Sequence, residues 1–170
     1  KLSASMPLAQ LAVASVSFNL LEWARASDAF AIASQSSFDA GGVRSFALRS
    51  GELEVRPLIK HGFLQWFTHE QNAISLFSEA RLRAARRAED RQDDDPLMEI
   101  EAMIGYLVCL RDNGMYDEEQ AFANELADRA ESIPLAAWRS NLSALRRMIF
   151  LGTPGVNTYS AALTLFGLRI

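Results

Sequence analysis

The chain has 170 residues, 49% of them hydrophobic, and a formal net charge of −4, which together predict one compact soluble domain over residues 1–170 rather than a disordered chain. Its 17 basic residues stand against 21 acidic ones, so a positive field over the whole molecule is excluded, and nucleic acid is disfavoured as a partner. The single cysteine, Cys109, excludes an intramolecular disulfide framework and a cysteine-rich zinc module.

The first predicted element is the apolar run from Pro7 to Leu21. Serines interrupt this run, and Glu22 and Arg25 close it too early for a bilayer span, so it predicts a packed helix and no membrane contact. Because the chain begins at Lys1 rather than at methionine, we expect the sequence to be a fragment of a longer protein.

Residues 7–35 are predicted to form a hairpin of two helices. Pro7 suits the first turn of the first helix, and Ser27 with Asp28 offers a capping break in the middle of the segment.

Residues 36–56 differ from the rest of the chain and are predicted to be an irregular insertion. Apolar residues alternate around the pair Ser50 and Gly51, which is a signal for a small β-hairpin at residues 45–56. Inside an otherwise helical chain, a long loop that leads to a helix start at Pro57 is the favoured interpretation.

Helical spacing of apolar residues resumes after the insertion and predicts three further hairpins, at about residues 57–90, 97–133 and 135–168. Within them, Thr68 and Gln71 have the form of a capping box, Pro96 fits a first helical turn, and Gly114 is placed to end a helix in a left-handed conformation. The predicted fold class is all-α.

The hairpins share a pattern of small and aromatic residues that suggests an internal repeat. The best copy consists of Gly114, Tyr116, Ala121, Ala127, Ala130 and Pro134; a second has Leu64, Trp66, Ala73, Phe77 and Ala80; a third has Trp23, Ala29 and Ala33. This pattern resembles the tetratricopeptide (TPR) repeat, in which a Gly-x-Tyr turn joins two antiparallel helices. The copies are spaced more widely than the ~34 residues of standard repeats, so the similarity is to long, divergent members.

The resemblance implies that the hairpins stack as a short right-handed solenoid that binds a protein or peptide segment in a groove, without enzymatic chemistry, cofactor or metal. It suggests the sensory or assembly part of a bacterial regulator or secretion accessory factor in the cytoplasm. In this family the inner face of each hairpin's first helix contacts the partner. Transfer of that register gives Phe18, Leu21, Leu58, Gln65, Glu101, Val108 and Arg111 as partner-binding residues.

Two other functions stay open from the residues themselves. His61, His69 and Glu70 could serve a small α-helical enzyme or ligand-binding bundle, although the two histidines lack the close spacing of a metal motif such as H-E-x-x-H. The basic patch of Arg81, Arg83, Arg86, Arg87 and Arg91 could bind nucleic acid. No aromatic residue is interleaved with these arginines for base stacking, so a solvated helix face is the simpler interpretation.

The remaining distinctive residues are interpreted as structural. Cys109 lies in an apolar helical stretch and is expected to stay protonated and unreactive. The apolar C-terminal helix requires a cover, which could be the body of the domain, a second copy of the chain or an absent domain. The larger aromatic residues are spaced as core: Trp23, Phe63, Trp66, Phe67, Phe77 and Trp138.

Overall fold

The computed structural model describes residues 12–14, 16–18, 20, 22–35, 55–69, 72–89, 96–138 and 160–162. Within these ranges the chain forms helices and turns and contains no strand, which confirms the predicted all-α class for this part of the chain. The helices are α1 (Trp23–Gln35), α2 (Arg56–Phe67), α3 (Ala73–Glu89), α4 (Pro96–Asp112) and α5 (Tyr116–Ser132), followed by a 3₁₀ turn (Leu135–Ala137). None of the helices in the described ranges combines the length and the apolar character needed to cross a bilayer.

Three predicted boundaries are corrected. Helix α1 runs without a break through Ser27 and Asp28. Thr68 follows the last residue of α2 instead of capping the start of α3, and its hydroxyl donates to the backbone oxygen of Leu64. The helix predicted from Leu135 does not begin there, since Leu135–Ala137 form a 3₁₀ turn and Trp138 has an extended backbone conformation; residues 139–151 of that prediction lie outside the described residues. In the predicted 45–56 β-hairpin, Arg56 is helical, and residues 45–54 lie outside the described residues.

The turn between α4 and α5 has the geometry that its glycine predicts. Gly114 has a φ of 73°, a left-handed conformation that costs glycine little. The N–H of Gly114 donates to the oxygen of Arg111, and the N–H of Met115 donates to the oxygen of Leu110, both at 3.0 Å. This pair of bonds is a Schellman motif, which ends α4 and allows α5 to begin at Tyr116.

The helices pack mainly in chain order: α1 on α2, α2 on α3, α3 on α4 and α4 on α5, with a further contact between α2 and α4. Helix α4 lies in the middle of this arrangement. From Leu97 to Leu110 only Glu99 and Tyr106 are partly exposed, and every other side chain is buried. A helix that is apolar on all sides is stable only when neighbours cover it completely, and α4 meets this condition.

The ring of Phe77 packs at the point where the three central helices meet. The buried ring of Phe77, on α3, lies against Gly62 of α2 and Gly105 of α4. A Cβ atom on Gly62 would stand 2.8 Å from the Phe77 ring, and a Cβ on Gly105 would overlap the ring. Both glycines are therefore needed for close approach of the helices. An edge-to-face contact with Phe63, at a centroid separation of 4.9 Å, fixes the ring from another side.

A buried ion pair joins the first turn of α2 to α4. Nη1 of Arg56 donates a hydrogen bond to Oε2 of Glu101 at 2.9 Å. The Arg56 side chain is only 7% exposed and the Glu101 side chain only 2%. Since a charge is costly to bury without its counterpart, each residue fixes the position of the other.

Candidate functional site

The predicted groove is not open at those of its apolar positions that the structure describes. Phe18, Leu58 and Val108 are buried in the hydrophobic core. The family register assumes that one face of each first helix is uncovered, but the neighbours of α4 cover it on every side. These three residues therefore stabilise the fold and are not accessible to a partner, which corrects the prediction.

The predicted polar positions of the groove are engaged within the chain. Glu101 is buried against Arg56, which removes it from the surface and corrects its assignment to the rim of the groove. The side-chain amide of Gln65 donates to the hydroxyl of Ser27 on α1 at 3.2 Å. Arg111 is partly exposed and contacts Glu119 at 3.3 Å. Leu21 lies outside the described residues.

The basic patch is partly neutralised by the chain itself. Arg81 donates to Glu125 of α5 at 3.1 Å, and its guanidinium lies 4.9 Å from the ring centroid of Phe122. Arg83 donates to Glu79 at 2.7 Å. The side chain of Arg86 is exposed. The Arg87 side chain and the whole of Arg91 lie outside the described part. Of the three patch arginines whose side chains are described, two form ion pairs with carboxylates of the chain.

The two histidines do not share a helix face. His61 lies on α2 and is partly buried, whereas His69 follows the end of the helix and is exposed. Its φ of 59° places His69 in the left-handed region, at the C-terminal position that glycine usually occupies. Glu70 lies outside the described residues. Where the structure describes the chain, no three potential metal-ligating side chains come together.

His61 has an environment that favours the neutral imidazole. Burial lowers its pKa below 6.5, and the negative charge of Asp28 opposes this effect only in part. Its Nδ1 atom is buried and has no hydrogen-bond partner among the described residues. The folded chain is therefore most stable when this histidine is uncharged.

We expect the free energy of unfolding to decrease as the pH falls below about 6.5, because the unfolded chain binds a proton at His61 more readily than the folded chain does. The decrease should level off once the pH is below the pKa of His61 in the folded chain. Urea unfolding at a series of pH values measures this slope. It should become shallower in the His61→Gln variant and persist in His69→Gln, and an unchanged slope in His61→Gln would contradict the assignment.

Cys109 is a core residue, as predicted. Burial raises the pKa of its thiol to about 12, with a further contribution from the negative charge of Asp112. Only the thiolate reacts readily as a nucleophile, so the folded chain holds this cysteine in its inert form.

We expect iodoacetamide at neutral pH to leave Cys109 unmodified in the folded chain and to alkylate it fully in denaturant. Mass spectrometry of the intact chain measures the modification. Rapid alkylation under native conditions, at a rate close to that of a free thiol, would show that α4 is less well covered than the structure indicates.

Among the described residues, the two exposed aromatic side chains, Phe67 and Tyr116, lie where α2 ends and α5 begins, the end of the helices at which α4 also ends and α1 begins. An edge-to-face contact at 4.6 Å joins Trp23 of α1 to Phe67 of α2. Trp66 Nε1 donates to Oδ2 of Asp112, near the end of α4, at 2.7 Å. Tyr116 follows four residues later. We call this region the aromatic end. It comprises the four aromatic side chains and the exposed Met115 that precedes Tyr116: Trp23, Trp66, Phe67, Met115 and Tyr116.

The aromatic end combines fixed and accessible side chains. Trp23 and Trp66 are partly buried, whereas Phe67 is 37% and Tyr116 is 63% exposed. In contrast, Phe63, Phe77 and Trp138 are buried, as the sequence predicts. The periodicity of apolar residues in the sequence does not predict this surface. Its signal in the sequence is that each aromatic residue lies within a few positions of a helix boundary, and antiparallel helices bring alternate boundaries to the same end.

Comparisons with models of known protein families, with curated protein sequences and with solved structures found no match to this chain.

Proposed function

We propose that this chain is a non-enzymatic helical domain that binds a protein or peptide segment, and that the aromatic end is its binding surface. The observation that carries the proposal is the exposure of Phe67 and Tyr116 beside two tryptophans that are held in place by the fold. Trp, Tyr, Phe and Met are among the side chains enriched at protein interfaces, and Trp and Tyr are enriched at their energetic hot spots.

The chemistry of the surface supports this function. An aromatic ring offers a large apolar area with few rotatable bonds, so little conformational entropy is lost when a partner covers it. The contact between Trp23 and Phe67 and the hydrogen bond from Trp66 to Asp112 orient these rings before a partner arrives. Preorganised rings of this kind suit recognition by shape rather than covalent chemistry.

The packing of the helices supports a repeat-like architecture as part of the same proposal. In a stack of helix hairpins, each helix contacts the next in chain order, and equivalent helices of adjacent hairpins also touch. The contact of α2 with α4, in addition to the sequential contacts, fits this pattern. Because four of the predicted groove positions, Phe18, Leu58, Glu101 and Val108, are buried, we place the partner at the end of the hairpins instead. The proposal keeps the cytoplasmic location that the sequence favours.

A library of short random peptides, selected on the immobilised full chain, tests the proposal. We expect the selected peptides, measured by fluorescence anisotropy, to bind Tyr116→Ala and Phe67→Ala at least about tenfold more weakly than the unmodified chain, since loss of a central aromatic side chain typically costs 2 kcal/mol or more. Leu82→Ala and Leu135→Ala are the matched controls, because both leucines are exposed and lie away from the aromatic end.

Circular dichroism confirms that each variant folds before its affinity is interpreted, and Tyr116→Ala is the more informative variant because its ring is the more exposed. Failure to enrich any peptide, or equal affinity for the aromatic-end variants and the controls, would overturn the proposal.

A further inference from the structure

We propose that Asn113 is a site of spontaneous deamidation, and that the turn between α4 and α5 controls when the reaction occurs. Asparagine is one of the chemically labile side chains. Asn113 precedes Gly114, and this is the only asparagine-glycine pair in the chain. Since glycine has no Cβ atom to obstruct the approach of its backbone nitrogen, this pair is the sequence in which asparagine reacts most readily.

The reaction requires only water as a co-reactant. The backbone nitrogen of Gly114 loses its proton to a base in the solvent and forms a bond to Cγ of Asn113, while the bond from Cγ to Nδ2 breaks and ammonia leaves. The product is a cyclic succinimide. Water then opens the ring at Cγ, which gives aspartate, or at the backbone carbonyl carbon, which gives isoaspartate. In both cases a carboxylate replaces the side-chain amide, and nothing is oxidised or reduced.

The folded turn holds both reacting groups in hydrogen bonds. The N–H of Gly114, which becomes the nucleophile, donates to the backbone oxygen of Arg111 at 3.0 Å. The leaving group, Nδ2 of Asn113, donates to the backbone oxygen of Cys109 at 2.7 Å. The first bond opposes loss of the proton from the nitrogen. The second restrains the side chain, which must rotate onto the following nitrogen before a bond can form.

Contacts on both sides of the turn add to this restraint. The backbone N–H of Asn113 donates to the oxygen of Cys109 at 3.0 Å, so the hydrogen bonding of α4 extends to this residue. Nη1 of Arg111 donates to Oε1 of Glu119 at 3.3 Å and joins the last turn of α4 to the first turn of α5. Gly114 can release its N–H only when the turn opens. Local opening of this kind requires less free energy than unfolding of the whole chain.

The product cannot restore the same turn. A carboxylate at residue 113 has no hydrogen to donate to the oxygen of Cys109. Its charge is also unfavourable at the C-terminal end of a helix, where the dipole is negative. In isoaspartate the main chain gains a carbon atom, which changes the spacing that the Schellman motif requires. Deamidation therefore leaves the turn weaker than before.

Incubation of the full chain at mildly alkaline pH, in buffer and in guanidinium chloride, tests the proposal. Trypsin then releases residues 112–129, a peptide that contains both Asn113 and Asn124, and tandem mass spectrometry measures deamidation at each of them. We expect Asn113 to react at least about tenfold faster in denaturant, because unfolding removes the hydrogen bonds of both reacting groups. Asn124, which precedes Glu125, is the internal control and should react much more slowly than Asn113 in denaturant.

Two matched variants locate the control of the reaction at the turn. Glu119→Gln removes the ion pair with Arg111 across the turn and should raise the rate at Asn113 in buffer about threefold or more, without changing the rate in denaturant. Glu125→Gln removes the ion pair with Arg81, which lies away from the turn, and should leave both rates within about twofold. Circular dichroism confirms that each variant is folded in buffer.

Each alternative outcome would overturn a named step. Equal rates at Asn113 in buffer and in denaturant would mean that the fold gives no protection, and no reaction in denaturant would overturn the site itself. An unchanged rate in Glu119→Gln, or equal acceleration in Glu119→Gln and Glu125→Gln, would overturn control by the turn. Aspartate together with isoaspartate in the product would support the succinimide route, whereas aspartate alone would overturn it.

Discussion

Replacement of Glu101 by alanine is expected to lower the free energy of unfolding by about 3–5 kcal/mol, because it removes the carboxylate partner of a buried guanidinium. The bond from Arg56 spans 2.9 Å between two side chains that are almost fully buried, so water cannot replace the missing oxygen without opening the core. A loss of this size is a large fraction of the stability of an ordinary domain. Urea unfolding, followed by tryptophan fluorescence, measures it.

Two further variants separate the burial of the charge from the loss of packing. The double substitution Arg56→Met with Glu101→Leu should recover most of the lost stability, since an apolar pair of similar volume avoids the cost of burying charge. Glu22→Ala removes a carboxylate from the exposed pair with Arg25 and should change the stability by less than about 1 kcal/mol. A double variant as unstable as Glu101→Ala would mean that lost packing, rather than the uncompensated charge, causes the destabilisation.

The helix boundaries that the sequence predicts correctly are those with a specific backbone requirement. Pro57 and Pro96 lie in first turns, and Gly114 ends α4 with a positive φ. The break predicted at Ser27 and Asp28 is wrong because a residue that can cap a helix is also tolerated inside one. The hydroxyl of Ser27 accepts a hydrogen bond from Gln65, a contact that no local pattern contains.

The apolar groove positions Phe18, Leu58 and Val108 are wrong for a different reason. The transferred register assumes that one face of α4 is open, yet the segment Pro96–Asp112 has apolar residues on all sides. That distribution predicts a fully covered helix and was available in the sequence. The buried partners could not be predicted in the same way, because Arg56 and Glu101 are 45 residues apart. Their pairing depends on the tertiary packing of α2 against α4.

The sequence predicts the position of the aromatic end but not the exposure of its rings. The turns after Phe67 and before Tyr116 were predicted, and antiparallel packing places them at the same end of the hairpins. The exposure of these rings could not be predicted, because aromatic residues at helical spacing are more often core, as Phe63 and Phe77 are here. Local turn chemistry therefore locates the surface, and only the packing shows which rings remain accessible.

Substitution of Gly105 by alanine is expected to destabilise the chain by about 2–3 kcal/mol, although alanine is the better helix former by about 1 kcal/mol. The added methyl group would overlap the ring of Phe77. That ring cannot move aside, because Gly62 of α2 and the ring of Phe63 hold it from other directions. The steric cost therefore outweighs the gain in helix propensity. Thermal and urea unfolding both measure the difference.

A double-mutant cycle tests whether the ring is the cause. Phe77→Leu alone should destabilise the chain, since it removes part of a fully buried side chain. In the Phe77→Leu background, Gly105→Ala should cost less, with a coupling of about 0.5–3 kcal/mol between the two sites. Gly62→Ala should show the same coupling in weaker form, because its methyl group would meet the ring edge at 2.8 Å rather than overlap the ring. Strict additivity of the Gly105 and Phe77 substitutions would contradict the close contact, whereas coupling at both glycines would show that a single ring sets the spacing of α2, α3 and α4.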